Sequence, residues 1–300
     1  MGAEFQGNVQ EHLGLSDAKN LPIPCLSRDF QQRTKGAFES ALKLTERAKA
    51  YVSEAESELA ASLGLGNWSP AQPLHYRSMS SLALRAGRLD AEFFAPRIRD
   101  LIGRLGKSGT NIGDVAPARR EKFDASLSGT FDYIEISDLS GDGTATSTSL
   151  DRADAPSRAT WHVHEGDVIT STVRPIRRLS ALIEPPQDGF VCSSGFVVLQ
   201  PERVIPEVLL TYLRLPLICE LMDLHTSASM YPAISEADLL NLPFAPPDKR
   251  TAAAVKDSVV RSRAAKARAQ GLLDSAKRAV EIAIEQDEAA ALRFLDAAKA

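Results

Sequence analysis

The chain has 300 residues, of which 44% are hydrophobic and 25% charged, and its net charge is −4. These values are ordinary for one or two globular domains and exclude a protein that binds nucleic acid through an overall positive charge. No run of about 18 apolar residues predicts a transmembrane helix, and the N-terminus lacks the pattern of a secretory signal. The three cysteines are scattered and indicate neither a disulfide framework nor a zinc knuckle, so we expect a cytoplasmic protein.

A short phrase occurs twice in the chain, and a helix-like segment follows it each time. Residues 15–24 read LSDAKNLPIP, and residues 234–247 read ISEADLLNLPFAPP. A repeat at so long a spacing excludes a solenoid and predicts two modules, each a globular domain followed by a long helix. Because the first copy lies close to the N-terminus, we expect residues 1–27 to be the remnant of a first globular domain.

Residues 28–65 predict one long helix. Apolar residues recur at every third or fourth position from Ala41 to Leu63, which is the spacing of one face of an α-helix. Gly64 follows this stripe and can end the helix in a left-handed conformation. The proline-containing residues 66–76 then predict a linker.

Residues 77–247 predict a compact α/β domain. Runs rich in β-branched residues predict strands, and Pro206 opens a predicted helix over 206–224. The polar segment 137–154 predicts a mobile loop. His162 and His164 share one face of a predicted strand, but no further ligands accompany them in the sequence, so we expect no metal site. The predicted strands are residues 132–136, 167–173 and 196–199.

Residues 248–297 predict a second long helix with an alanine-rich apolar stripe. Helices of this length gain little from propensity alone, so we expect the two long helices to pack against each other in antiparallel directions. Two independent surface helices are the alternative. The predicted contacts join Val52, Leu59 and Leu63 to Val259, Leu273 and Val280.

The order of these elements, together with four phrases in the α/β domain, resembles the specificity subunit of type I restriction-modification systems. The resemblance implies a mixed α/β target-recognition domain, flanked by two long helices, that recognises a sequence in double-stranded DNA without catalysing a reaction. It also implies that the helices dock methyltransferase subunits, in an assembly that can include the restriction/translocase subunit. The methyl donor S-adenosylmethionine would belong to the methyltransferase, so no cofactor is expected here. The four phrases are residues 133–136, 166–174, 192–199 and 231–235.

Only one complete recognition domain is predicted, whereas the resemblance implies two. A natural half-subunit and a truncated gene product are both compatible with this difference. A homodimer formed through the long helices would restore two recognition domains, because identical chains most often associate with two-fold symmetry.

Loops that carry cations and hydroxyl groups are the candidates for contact with DNA, since cations bind phosphates and polar groups bind base edges. The alternative for each is an ordinary solvated or ion-paired turn. The candidates are Arg174, Arg177 and Arg178 in one turn, Arg119, Arg120 and Lys122 in a second cluster, and Ser229 and Tyr231 in a loop.

Two other classes of function remain open from the sequence. One is a helical scaffold whose globular domain binds protein rather than DNA. The other is an enzyme with its own nuclease or methyltransferase site. Residues 241–244 read NLPF, which differs at the second position from the tetrapeptide of amino-methyltransferases, and no glycine-rich turn follows a strand.

Overall fold

The computed structural model describes residues 14, 18–21, 23–227 and 230–297. They fall into two compact units: a helical unit, formed by the described residues up to Arg47 and from Ala264 onward, and an α/β unit, formed by those from Ala48 to Arg263. No described helix is long and apolar enough to span a bilayer. The α-helices are α1 (Arg28–Ser62), α2 (Ser80–Ala86), α3 (Ala91–Phe94), α4 (Pro96–Leu105), α5 (Ile112–Val115), α6 (Pro206–Arg214), α7 (Pro216–Asp223), α8 (Glu236–Leu240), α9 (Lys249–Glu285) and α10 (Glu288–Ala297).

The strands of the α/β unit form three small sheets. A four-stranded sheet has the order β2-β1-β6-β3, in which β1 and β6 are parallel and the other pairs antiparallel. An antiparallel sheet has the order β5-β4-β7, and β8 pairs with β9. The strands are β1 (Thr130–Ile134), β2 (Thr148–Asp151), β3 (Ala159–His162), β4 (Val168–Ser171), β5 (Ser180–Leu182), β6 (Val191–Ser193), β7 (Phe196–Leu199), β8 (Thr226–Ser227) and β9 (Ala233–Ile234).

The long helices contribute to the core of the α/β unit. Leu59 of α1 and Val259 of α9 belong to the same buried cluster as the apolar faces of α4, α6 and α7. The Ser262 hydroxyl donates to the Ala48 carbonyl at 2.9 Å, and the Arg261 guanidinium lies 5.8 Å from the Tyr51 ring centroid. Residues further along α1 therefore contact residues that come earlier in α9. The two helices are antiparallel within this unit, as the sequence predicts.

The helical unit has a small core of its own. Phe30 is buried with residues of α9 and α10, and the Ser27 amide donates to the Glu288 carboxylate at 2.8 Å. Leu273 and Val280, expected with Val259 to contact Val52, Leu59 and Leu63, belong to this unit instead. They line an apolar concavity together with Phe30. The predicted pairing was therefore wrong for these two residues. The apolar stripe on each helix indicates which face is buried, but not which residues of the two helices lie opposite each other.

Two predicted helices are each divided in the structure. The helix expected over 206–224 breaks at Leu215, because Pro216 has no amide hydrogen and begins a new helix. The helix expected over 248–297 ends at Glu285, and Asp287 caps α10 by accepting a hydrogen bond from the Ala290 amide at 2.7 Å. The helix α1, expected over 28–65, ends at Ser62, and Gly64 just beyond it is in the left-handed region at φ 66°.

The segment 137–154 contains regular structure, contrary to the expectation of a mobile loop. Residues Thr148–Asp151 form β2, which pairs with β1 along its whole length. A turn precedes it, in which the Ser140 amide donates to the Thr144 carbonyl at 2.9 Å. Most residues of β2 are exposed to solvent, so the strand can be polar while its backbone pairs with β1.

Candidate nucleic-acid interface

The arginine turn, defined here as residues 174–178, follows β4 at the edge where β9 approaches. Val173 forms an isolated bridge with Ala233, and the Arg174 amide donates to the Pro232 carbonyl at 2.8 Å. The turn itself is a short 3-10 helix over Pro175–Arg177. Its backbone thus places the arginines beside the segment that precedes β9.

Arg174 and Tyr231, predicted separately, lie side by side. The Arg174 guanidinium is 5.4 Å from the Tyr231 ring centroid and donates to the Met230 carbonyl at 3.4 Å. Tyr231 is 67% exposed and Met230 is 74% exposed. A cation and an aromatic ring therefore share one solvent-facing surface. Ser229, the other predicted residue of this loop, lies outside the described residues.

Arg177 is the second solvent-facing cation of the turn. Its side chain is exposed and forms no hydrogen bond or ion pair with any described residue. Its backbone amide donates to the Arg174 carbonyl at 2.9 Å, which holds the two arginines on one turn. Both guanidinium groups can therefore meet an anion without first breaking an ion pair.

Arg178, also predicted as a DNA contact, is directed into the protein. Its Nε donates to the Arg214 carbonyl at 2.7 Å, and its Nη2 forms an ion pair with Glu56 of α1. These bonds use the polar edge that a phosphate would need. The sequence places Arg178 beside Arg177 but does not reveal a partner 122 positions away.

The residues of the second predicted cluster, Arg119, Arg120 and Lys122, also differ in whether they have partners within the protein. Arg119 forms a bidentate ion pair with the buried carboxylate of Asp167, at 2.7 and 3.0 Å, and these hydrogen bonds raise its pKa. It is therefore a structural residue, since removing it would leave a buried charge unpaired. Arg120 is largely exposed and pairs with Glu236 at the start of α8. Lys122 is exposed and bonds to none of the described side chains.

The two histidines bond to different partners. His164 bridges two carboxylates, with Nε2 2.9 Å from Glu121 and Nδ1 3.0 Å from Asp188. The hydrogen bond that His164 donates to the Glu121 carboxylate, followed by the one it donates to Asp188, raises the pKa of His164 despite partial burial. His162 Nδ1 lies 3.2 Å from the Gly189 carbonyl. Within the described ranges, no group of three or more His, Cys, Asp or Glu side chains is arranged to hold a metal ion.

Sequence reasoning missed two residues that support the turn, Glu56 and Arg214. Arg214 is only 3% exposed, and its guanidinium donates to the Arg178 carbonyl at 2.9 Å and to the Gly141 carbonyl. An arginine within the apolar run of α6 was a usable signal, because an arginine is rarely buried without partners. Glu56 gave no such signal, since it is one of many acidic residues on a charged helix.

Two solved structures are similar to part of this chain. One is the crystal structure of the HsdS subunit from Thermoanaerobacter tengcongensis, with 27% identity and a TM-score of 0.45. The other comes from work on complex assembly and conformational transition of the type I R-M system, with 27% identity and a TM-score of 0.46. Each match covers 58% of this chain and 46% of the other, so this chain spans about half their length.

No protein-family model matches the chain, and no curated protein does.

Proposed function

We propose that this chain is a DNA-recognition subunit that resembles the specificity subunits of type I systems. Its α/β unit binds duplex DNA through the arginine turn and Tyr231. One observation carries the proposal: Arg174 and Arg177 lie together on one turn, without ion pairs to described residues, beside an exposed aromatic ring.

Positive charge on a local surface suits DNA even though the chain as a whole is acidic. Arginine pairs with phosphate oxygens through a planar, bidentate geometry, and such contacts fix a protein on the duplex. Arg174 and Arg177 supply two cations, and Lys122 is a further exposed candidate, whereas Arg120 already pairs with Glu236. Tyr231 offers a ring and a hydroxyl for a sugar, phosphate or base edge.

The helical unit is the proposed docking surface for methyltransferase subunits or for a second copy of the chain. Its apolar concavity includes Phe30, Leu273 and Val280, and Phe38 on its rim is 51% exposed. Exposed apolar surfaces of this kind mark sites of protein–protein interaction. In this proposal the methyltransferase partner catalyses the methylation, and the present chain selects the DNA sequence.

The experiment is DNA binding by the full chain, measured by fluorescence anisotropy with a random-sequence duplex at several salt concentrations. It is done with and without a co-expressed methyltransferase partner. We expect binding that weakens linearly with the logarithm of the salt concentration, because phosphate contacts release counterions. Absence of DNA binding in both preparations, with retention of the protein partner, would favour the scaffold function instead.

A further inference from the structure

The arginine turn has an unusual backbone that needs support from elsewhere. Arg174 has φ 51° and Arg178 has φ 60°, and they are the only described residues other than glycine with positive φ. Side chains with a Cβ disfavour this left-handed region, so such residues persist where surrounding contacts fix them. Both ends of the turn therefore carry strain, and the contacts that offset it determine where Arg174 and Arg177 lie.

Arg178 and Arg214 fix one end of the turn through reciprocal hydrogen bonds. Arg178 Nε donates to the Arg214 carbonyl at 2.7 Å, and Arg214 Nη1 donates to the Arg178 carbonyl at 2.9 Å. Pro175, inside the turn, is buried. The turn is thus bonded to the C-terminus of α6 at the residue where its backbone is left-handed.

Glu56 supplies the negative charge that this arrangement needs. Its carboxylate pairs with Arg178 Nη2, and its side chain is only 19% exposed. Burial lowers the pKa of the nearby Arg214, and the negative charge of Glu56 acts in the opposite direction by favouring the charged guanidinium. Two guanidinium groups therefore lie close to one carboxylate. Because Glu56 is on α1, the position of this long helix and the position of the turn are directly linked.

We propose that Glu56 is a positioning residue for DNA binding, which holds Arg174 and Arg177 in place through Arg178 without touching DNA. This inference rests on the proposed function and adds to it a link between α1 and the turn. A ligand or partner that displaces α1 locally would shift the turn through this ion pair. The resemblance in sequence motifs does not require this link between α1 and the turn. A direct contact between Arg178 and DNA would not require it either.

The test compares Glu56→Ala with Glu54→Ala in the full chain. Glu54 is an exposed residue of α1 without an ion pair to described residues, so its substitution controls for the loss of one negative charge. Duplex binding is measured over a range of salt. We expect Glu56→Ala to bind about tenfold more weakly than Glu54→Ala, with the same salt slope, since no phosphate contact is lost. Glu56→Gln, which keeps a hydrogen-bond acceptor for Arg178, should recover part of the affinity.

A second measurement needs no DNA. Trypsin cleaves after arginine, and Arg177 and Arg178 lie in the turn. If Glu56 holds the turn, Glu56→Ala should be cleaved there faster than Glu54→Ala, because cleavage follows the population of the open segment. Thermal unfolding of both variants separates this local change from loss of the fold.

Three results would overturn the inference. Equal affinity of the two variants would mean that Glu56 does not position the turn. Tighter binding of Glu56→Ala with a steeper salt slope would mean that Glu56 masks Arg178, which then contacts phosphate itself. Equal trypsin cleavage would mean that the ion pair does not hold the turn. Absence of DNA binding by the parent chain would instead reject the proposed function, and the cleavage result would still report on the ion pair.

Discussion

At the residue scale, the basic side chains of the α/β unit differ in what they contact, although the sequence presents them as two similar clusters. Arg119 and Arg178 bond to carboxylates within the protein, whereas Arg177 is directed to solvent. An arginine that already has a carboxylate partner gains little from an added phosphate, because one pair must break for the other to form. The candidates with the best access to DNA are therefore Arg174 and Arg177.

The double variant Arg174→Ala with Arg177→Ala is expected to bind duplex DNA more weakly. Each lost phosphate contact should lower the salt slope by roughly one, so two contacts should lower it by about two. Arg268→Ala is the matched control, because Arg268 is an exposed arginine of the helical unit that pairs with no described residue. Anisotropy titrations over a salt series provide the DNA affinity and the salt slope of each variant. An unchanged slope in the double variant would remove the turn from the interface.

His164 is expected to make stability depend on pH. Its folded pKa is raised above the unfolded value by the hydrogen bonds that its ring donates to the carboxylates of Glu121 and Asp188. The stabilisation is therefore complete below the unfolded value of about 6.5 and is lost as the pH rises through the folded pKa. Hence His164→Gln should lower the free energy of unfolding more at about pH 5.5 than at about pH 8.5. Urea unfolding of parent and variant at both pH values measures this, and an equal loss would contradict it.

At the element scale, the parts of the fold that local patterns determine were predictable. The left-handed Gly64 ends α1, and the β-branched runs of β4 and β7 form a buried antiparallel pair. Helices whose ends depend on single residues were harder to predict. Pro216 and Asp287 each divide a run of residues whose pattern is otherwise helical. The strand β2 was missed because polar residues in a sequence do not reveal that a neighbouring strand will pair with them.

The sequence predicts the cations of the candidate site, but it does not predict the residues that hold these cations in place. The arginine turn and Tyr231 stand out because they are polar residues beside strands. The partner that decides the role of Arg178 lies 122 positions away on another element, and no local pattern connects the two. Ion pairs of this kind depend on tertiary packing, so only the folded chain separates an anchoring arginine from a solvent-facing one.

Leu59→Asp is expected to destabilise the α/β unit by at least about 3 kcal/mol. Leu59 is fully buried in the largest core cluster, with Val259 of α9, so the substitution would remove apolar packing and bury an unpaired charge. Leu42→Asp on the same helix is the control, because Leu42 is 51% exposed and should tolerate the change. Chemical unfolding gives both free energies. Equal stability of the two variants would show that Leu59 does not contribute to the core.

At the scale of the whole molecule, the described residues include one α/β unit, for which we propose DNA recognition, and one helical unit with an apolar concavity. A single recognition surface determines only a short stretch of DNA. A second copy of the chain would supply another, and two-fold symmetry would then make the two stretches inverted repeats. The exposed Phe38 and the concavity beside it offer a surface on which helices of a second copy can pack.

We therefore expect the chain to self-associate, at least within its complex with a methyltransferase, and to direct methylation to two inverted copies of one half-site. Light scattering of the purified complex gives the number of chains, and mapping of the methylated positions gives the symmetry of the target. Phe38→Asp should weaken the association without changing the stability of the α/β unit, because Phe38 belongs to the helical unit. A single chain in a complex that methylates an asymmetric two-part sequence would contradict the symmetric assembly, since one copy of one recognition surface cannot specify two different halves.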